Sequence, residues 1–334
     1  MDLSLVIPVY NRPDEVEELL RSLSEQSDMD FEIVIVEDGS TLPCKDRVEQ
    51  FQFPRIQYLY KENSGPGPSR NYGMERANGD FFVILDSDCV LPPDYISAVK
   101  RGVAQTDCDA FGGPDRASED FDDMQKAVSY SMTSFFTTGG IRGGGEKMDK
   151  FHPRSFNMGI SRAVFEKTGG FSQMRYGEDI DFSIRIMKAG FKTVLLKDAW
   201  VYHKRRTDMR AFFRQVNHSG AARVELTRRH PGTLKFVHLL PSLFTLGCAL
   251  LLLGFFASAL FAVAFFLFPR PELGSAAGAT LAALLFLAPL CLYALLIFGD
   301  ACARNGVKVA RLSVRTSFVQ LWGYGSGFIR ALFS

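Results

Sequence analysis

The stretch Phe81-Phe82-Val83-Ile84-Leu85-Asp86-Ser87-Asp88 constrains the fold more than any other part of the chain. Its first five residues are apolar without alternation, and Asn78-Gly79 stops whatever precedes them. A strand with no polar face has to be covered on both sides, which calls for a sheet held between layers of helices. Two carboxylates stand at its exit. Side chains alternate along extended backbone, so the spacing predicts Asp86 and Asp88 on one side and Ser87 on the other. Hard oxygen donors at a sheet edge suit Mg2+ or Mn2+ bridging to phosphates. The plainer alternative is a strand followed by a polar turn.

Three further apolar runs precede this one, at 3–9, 31–36 and 56–60. The first ends in Pro8-Val9-Tyr10-Asn11-Arg12-Pro13, where Asn11 is expected to cap a helix opening with Pro13, Asp14 and Glu15. Val16, Leu19, Leu20 and Leu23 give that helix one apolar stripe. The second run closes on Glu37-Asp38-Gly39-Ser40, and the third leads through Gly65-Pro66-Gly67-Pro68-Ser69-Arg70 into another helix. Strands alternating with helices at this spacing predict right-handed βαβ units and a mainly parallel sheet. Ligands of such sheets bind beyond the carboxyl ends of the strands. Asn11, Asp38, Arg70 and Asp88 all lie there, so four loops are expected to meet at one crevice. The glycine-rich 65–70 segment is no dinucleotide fingerprint: it lacks the last glycine, its prolines remove phosphate-binding N–H groups, and it follows the third strand.

Five stretches occur in a telling order: Val6-Ile-Pro-Val-Tyr-Asn11, Glu37-Asp-Gly-Ser40, Ser69-Arg-Asn71, Leu85-Asp-Ser-Asp88 and Gly177-Glu-Asp-Ile-Asp181. Together they resemble the motif series of family 2 glycosyltransferases, inverting enzymes of the GT-A fold, over roughly residues 1–205. The resemblance implies that Pro8, Tyr10, Asn11 and Asp38 bind the nucleotide part of a nucleotide-sugar donor, with Arg70 helping. It implies that Asp86 contacts ribose or metal, that Asp88 ligates Mn2+ or Mg2+, and that Asp179 is the catalytic base. Glu37 stands where the family commonly has aspartate and keeps the charge sign. His203, after Ala199-Trp200-Val201-Tyr202, resembles a histidine that adds a metal ligand in many relatives; imidazole suits Mn2+ better than Mg2+. The alternative is a histidine in a basic surface.

Sugar transfer needs charge stabilisation on the departing diphosphate and a carboxylate to deprotonate the acceptor alcohol. The segment 176–185 reads as a helix start rich in acids, and acids in a first turn also favour the helix dipole without any chemistry. Glu178 and Asn157 are acceptor-side candidates. Arg142, the one cation in the glycine-rich stretch 137–145, is a candidate phosphate contact and acceptor-side residue.

Residues 236–268 and 276–298 are nearly free of charge, and each run exceeds the roughly 20 residues that cross a bilayer as a helix. The hydrophobic share of the 334 residues is 47%, and its excess is concentrated in these runs. Basic residues flank them, Arg210, Arg214, Arg228 and Arg229 before and Arg304, Lys308 and Arg311 after, so both ends are expected on the cytoplasmic side of a cell membrane. Met1-Asp2 leads straight into the first strand, and no signal peptide is expected. The last segment, with Trp322, Tyr324 and three glycines, is expected to lie in the headgroup layer, with packing onto the spans as the alternative. A formal net charge of +1 gives no basis for nucleic-acid binding, and six scattered cysteines read as reduced thiols without a zinc pattern.

The expected organisation is a catalytic domain over 1–205, a basic juxtamembrane helix over 206–235, two transmembrane helices over 236–298 and an interfacial segment over 299–334. The expected activity is transfer of a sugar from a nucleotide-sugar to a hydroxyl of a lipid-linked or membrane-proximal glycan, in contact with membrane lipids. A polyprenyl-phosphate sugar synthase is the nearest rival, and its acceptor phosphate would need no base. A catalytically idle membrane scaffold is the rival from another class; it would keep the fold and have no use for the acids.

Overall fold

The computed structural model describes residues 1–116, 121–138, 152–204, 208–268 and 275–334. The chain forms two compact units, one of residues 1–120 with 146–204 and one of 121–145 with 205–334. The 121–145 segment, which the sequence leaves inside the catalytic domain, therefore belongs to the second unit.

The first unit begins with β1 (Leu3–Val9), α1 (Pro13–Ser24), β2 (Glu32–Asp38), the short α2 (Lys45–Val48), β3 (Ile56–Lys61), α3 (Pro66–Arg76) and β4 (Phe81–Leu85). After β4 come β5 (Cys89–Val90), α4 (Tyr95–Thr106), β6 (Ala110–Gly112) and β7 (Asp115–Arg116). One side of the main sheet runs β3-β2-β1-β4, and these four strands pair in parallel. The expected mainly parallel α/β architecture is present. Because β2 leaves β1 on one side and β4 lies on the other, the order of the strands reverses between β1 and β4. Such a reversal opens a crevice at the carboxyl ends of those two strands.

Alternation along β1 and β4 feeds two cores. Leu3, Leu5, Ile7, Val83 and Leu85 pack with Val16, Leu19, Leu20 and Leu23 of α1 on one face. Val6, Phe82 and Ile84 pack with Met74 of α3 on the other. Each such side chain, fully enclosed, contributes about 1.5–3 kcal/mol. Gly73 lets α3 lie close to the sheet, since a Cβ there would stand 2.6 Å from Val6 Cγ1. At the opposite end of the strands the buried Glu32 carboxylate accepts hydrogen bonds from Ser4 Oγ (2.6 Å), Gln57 Nε2 (2.6 Å), Asn78 N–H (2.8 Å) and Asn78 Nδ2 (2.6 Å). One acid thus ties β1, β2, β3 and the approach to β4.

The second unit contributes α5 (Asp123–Thr133) and α6 (Phe135–Thr138) before the chain returns to the sheet. In the first unit β8 (Asn157–Ser161) then pairs antiparallel with β4 and with β6, followed by α7 (Arg162–Thr168), α8 (Glu178–Lys188) and β9 (Thr193–Leu195), which pairs with β6. β10 (Val201–His203) pairs antiparallel with β5, and this places His203 opposite Cys89.

The second unit closes with α9 (Met209–Arg229), a 3-10 turn (Phe236–His238), α10 (Leu240–Leu267) and α11 (Ala276–Leu332). The 236–268 run is therefore a short turn followed by a helix. α11 is broken at Gly306, whose φ of 78° and ψ of 171° are not helical. α10 and the first part of α11 are long and apolar enough to cross a membrane, and none of the most apolar stretch of α10 is buried. The part of α11 after Gly306 packs against α5, α9 and α10, the contact that the sequence left as the alternative to an interfacial position. Its glycines are the points of closest approach. A Cβ on Gly327 would stand 2.0 Å from the Asn217 carbonyl oxygen, and one on Gly325 would stand 2.3 Å from that of Pro241.

Candidate active site

Four loops do leave the strands toward the crevice, but their side chains divide the work differently from the expectation. Pro8 is half-buried within β1, and Tyr10 beyond its end is 51% exposed. Asn11 is not a helix cap. Its φ is 53°, its Oδ1 accepts from Leu42 N–H (2.9 Å) and Thr41 Oγ1 (3.0 Å), and its N–H donates to Ser40 Oγ (2.7 Å). A short polar side chain tolerates the left-handed region and bonds locally, so Asn11 joins the loops after β1 and β2.

Glu37 and Asp38 point to opposite faces of β2. Glu37 is fully enclosed, taking Ser40 Oγ, Cys44 N–H (2.7 Å) and Tyr58 OH (3.1 Å). It faces inward and shapes the loop to α2. Asp38 is also buried. Its carboxylate accepts Lys61 Nζ (2.6 Å), Ser64 N–H (2.9 Å) and Gly65 N–H (2.9 Å), so it anchors the approach to α3 at the crevice wall.

The two aspartates after β4 are not successive residues of an extended strand. β4 stops at Leu85, and a turn follows in which Cys89 N–H bonds Asp86 O at 3.1 Å. Once the backbone turns, alternation no longer applies, and the two carboxylates take separate partners. Asp86 accepts from Arg70 Nη2 at 2.8 Å. Asp88 Oδ2 lies 3.2 Å from Arg12 Nη1, and its Oδ1 lies 3.2 Å from His203 Nε2. The His203 ring is stacked on Phe156 with centroids 4.9 Å apart.

Donor atoms of Asp88, Cys89 and His203 lie within 4.8 Å of one another. Asp86 does not join them. Cys89, read from the sequence only as a reduced thiol, is brought in by the β5–β10 pairing. Its Sγ donates to Phe156 O (3.4 Å), and burial, with the charges of Asp88 and Asp86, pushes the thiol well above its ordinary range. Soft sulfur is a poor match for a hard ion, so the donor pair that fits Mg2+ or Mn2+ is the Asp88 carboxylate with the His203 imidazole.

Arg70, in α3, is buried and joins the two halves of the site. Its Nη2 bonds Asp86 and its Nη1 bonds Glu178 Oε1 at 2.9 Å, while the guanidinium lies 5.1 Å from the centroid of the Phe171 ring. Glu178 and Asp179 open α8 behind Gly177, whose φ of 78° sets the start of the helix. The two acids are pushed apart. Burial raises Glu178 and outweighs the pull of Arg70. Burial would raise Asp179 too, but the Arg154 guanidinium 2.6 Å away and the Ile180 N–H at 2.8 Å prevail and hold it below the ordinary aspartate range. Asp179 is the more acidic member of the pair.

Asn157, an acceptor-side candidate from the sequence, opens β8. It is fully enclosed, accepting from Tyr95 OH (2.6 Å) and donating to the Ala199 carbonyl (2.8 Å), and so holds β8 in place. Arg142 lies outside the described residues. Arg12 and Arg154 were missed as site residues. The only signal in the sequence was their position, one beside Asn11 and one three residues before Asn157.

Residues 4–169 match the family described as "Glycosyl transferase family 2". They form a family 2 glycosyltransferase domain. Among curated relatives, the domain is 37% identical over 101 residues to the putative glycosyltransferase EpsH of Bacillus subtilis, covering 30% of this chain and 29% of EpsH. It is 31% identical over 130 residues to the putative teichuronic acid biosynthesis glycosyltransferase TuaG of the same organism, covering 38% of this chain and 52% of TuaG. The matched stretches thus span well under two thirds of these relatives. A solved mannosyltransferase, PcManGT from Pyrobaculum calidifontis in complex with GDP-Man and Mn2+, superposes with a TM-score of 0.58 at 19% identity, covering 99% of this chain and 87% of that one. That likeness supports the glycosyltransferase fold of the domain.

Proposed function

We propose that the protein is a membrane-anchored inverting glycosyltransferase that moves a sugar from a nucleotide-sugar to a hydroxyl of a lipid-linked or membrane-proximal glycan. The observation that carries this reading is the single guanidinium of Arg70, bonded to Asp86 on the donor side and to Glu178 on the acceptor side. Asp88 follows Asp86 by two residues and Asp179 directly follows Glu178, so Arg70 ties together the two short stretches that carry them.

Asp179 is the base. Its carboxylate takes the proton of the acceptor hydroxyl as the alcohol oxygen bonds to the anomeric carbon and the bond from that carbon to the diphosphate breaks. An alcohol needs this help, whereas a phosphate acceptor is already ionised, so a buried, ionised Asp179 favours the glycan acceptor over a polyprenyl phosphate. Asp88 and His203 would hold the divalent ion, which supplies positive charge to the departing diphosphate. Asp38 and Lys61 hold the loop that forms the nucleotide side of the crevice, and Tyr10 is exposed at the mouth of the same loop cluster.

The two apolar helices, α10 and the first part of α11, are the anchor, with the catalytic domain and both termini on the cytoplasmic side by the distribution of Arg and Lys. An acceptor held near the membrane explains why such helices share a chain with this domain. The test is a panel of nucleotide-sugars incubated with the purified chain and Mn2+, with and without membrane lipid extract. Release of one nucleoside diphosphate, raised by the lipid extract, is the expected result; no release from any donor under either condition would reject the reading.

A further inference from the structure

Arg12 lies where the strand order reverses. It follows β1, Asp88 follows β4, and the contact between them bridges the carboxyl ends of the two strands that flank the crevice. Arg12 Nη1 is 3.2 Å from Asp88 Oδ2 and 3.1 Å from Glu15 Oε1, and the side chain is 30% exposed. Glu15, in the first turn of α1, therefore tethers the guanidinium at the crevice.

A divalent ion held by Asp88 Oδ1 and His203 Nε2 would share one carboxylate with Arg12, which faces Oδ2, and the like charges of ion and guanidinium would repel across it. Arg12 would have to leave Asp88 while Glu15 keeps it nearby. The anion arriving in the same crevice is a diphosphate, and a planar fork of N–H donors matches phosphate oxygens. During transfer the departing diphosphate gains one more negative charge than it had in the donor. A cation able to turn onto it then is worth more in the transition state than in the ground state.

We infer that Arg12 is a diphosphate-binding residue, paired with Asp88 when the site holds no ion and turned to the diphosphate when an ion is bound. This rests on the assignment of Asp88 as a metal ligand made above. An ordinary surface ion pair would show the same distance to Asp88 but would leave ligand affinity unchanged on removal.

The experiment is calorimetric titration of the full chain in detergent, wild type against Arg12→Ala and Arg12→Lys, with melting temperatures recorded to confirm folding. The probes are Mn2+ alone, then inorganic pyrophosphate, UDP and GDP with Mn2+ present, and uridine and guanosine as controls lacking phosphate. Arg12→Ala should bind pyrophosphate and the preferred diphosphate about tenfold more weakly, with nucleoside affinity unchanged and Mn2+ bound at least as tightly. Arg12→Lys, which keeps the charge and loses the fork, should fall between and decides the matter if the alanine variant does not fold. Equal diphosphate affinity in wild type and variants overturns the role of Arg12 alone. A wild type that binds neither Mn2+ nor any diphosphate overturns the donor-site assignment, and the role of Arg12 with it.

Discussion

Arg154 Nε donates to Asp179 Oδ2 at 2.6 Å, so the proposed base rests against a cation and not against open solvent. The Arg154 side chain is 39% exposed, which leaves it room to turn aside for an acceptor. Asp179→Asn keeps the size of the side chain and removes its ability to take a proton. Turnover should fall by about 10²- to 10⁴-fold while nucleoside diphosphate binding, followed by calorimetry, stays near wild type. Near-normal turnover would remove Asp179 from the mechanism.

The Arg154 contact also sets the pH range. A base has to be deprotonated, so kcat/KM rises with pH through its pKa; with Asp179 held below the ordinary aspartate range, its acid limb should lie below about pH 4. Arg154→Ala removes the cation and leaves burial to act, so the limb should move to higher pH. A pH–rate profile of both proteins measures this, and superimposable profiles would show that Arg154 does not tune the base.

Chelation provides a separate check on Asp88 and His203. EDTA should stop release of nucleoside diphosphate, and added Mn2+ should restore it. His203→Ala should raise the Mn2+ concentration needed for half-maximal release, because one of the two ligands is gone. Cys89→Ser should leave that concentration unchanged, since soft sulfur contributes little to holding a hard ion. A Mn2+ requirement altered by Cys89→Ser and not by His203→Ala would reverse the assignment.

Glu32 links pH to stability at the far end of the sheet. Burial pushes its pKa up, but the hydrogen bonds from Ser4, Asn78 and Gln57 prevail and hold it below the ordinary glutamate value. A carboxylate depressed on folding stabilises the native state above its unfolded pKa of about 4.3, and that contribution is lost as pH falls through the folded pKa. Glu32→Ala strands several donors and should cost about 3 kcal/mol at neutral pH, with a smaller difference from wild type below pH 4. Denaturant melts at both pH values test this; a difference that does not shrink in acid contradicts it.

In the helical unit, Gly327 has no room for a methyl group against the Asn217 carbonyl. Gly327→Ala should lower stability by about 1–3 kcal/mol, because neither backbone can give way easily. Gly299, with nothing within 4 Å of its Cβ position, is the control, and Gly299→Ala should be neutral or slightly stabilising in the helix. Melting in detergent compares the two, and equal melting temperatures would mean that the close packing contributes little.

Local pattern was enough to read the alternation of strands and helices in the first unit, the runs of apolar residues in the second, and the motif order that marks the family. These follow from the period of apolar residues and from turn residues at element ends. The roles inside the site were less legible. Asn11 looked like a cap because it precedes Pro13, yet its partners Thr41 and Leu42 come from the loop after β2. Asn157 looked like a ligand contact because it is polar beside a motif, yet Tyr95 and Ala199 enclose it. In both cases the partners lie far along the chain.

The amino-acid sequence by itself determined which segments are strands, which helices are uniformly apolar, and which acids end up beyond the strands, because each depends on neighbours a few residues away. Tertiary structure alone decided which of those acids meet a cation. The pairing of β10 with β5 brings His203 to Asp88, the order of β1 and β4 brings Arg12 to the same carboxylate, and α3 carries Arg70 to both Asp86 and Glu178. Charge interactions act through space, and no local pattern encodes the distance between side chains a hundred residues apart.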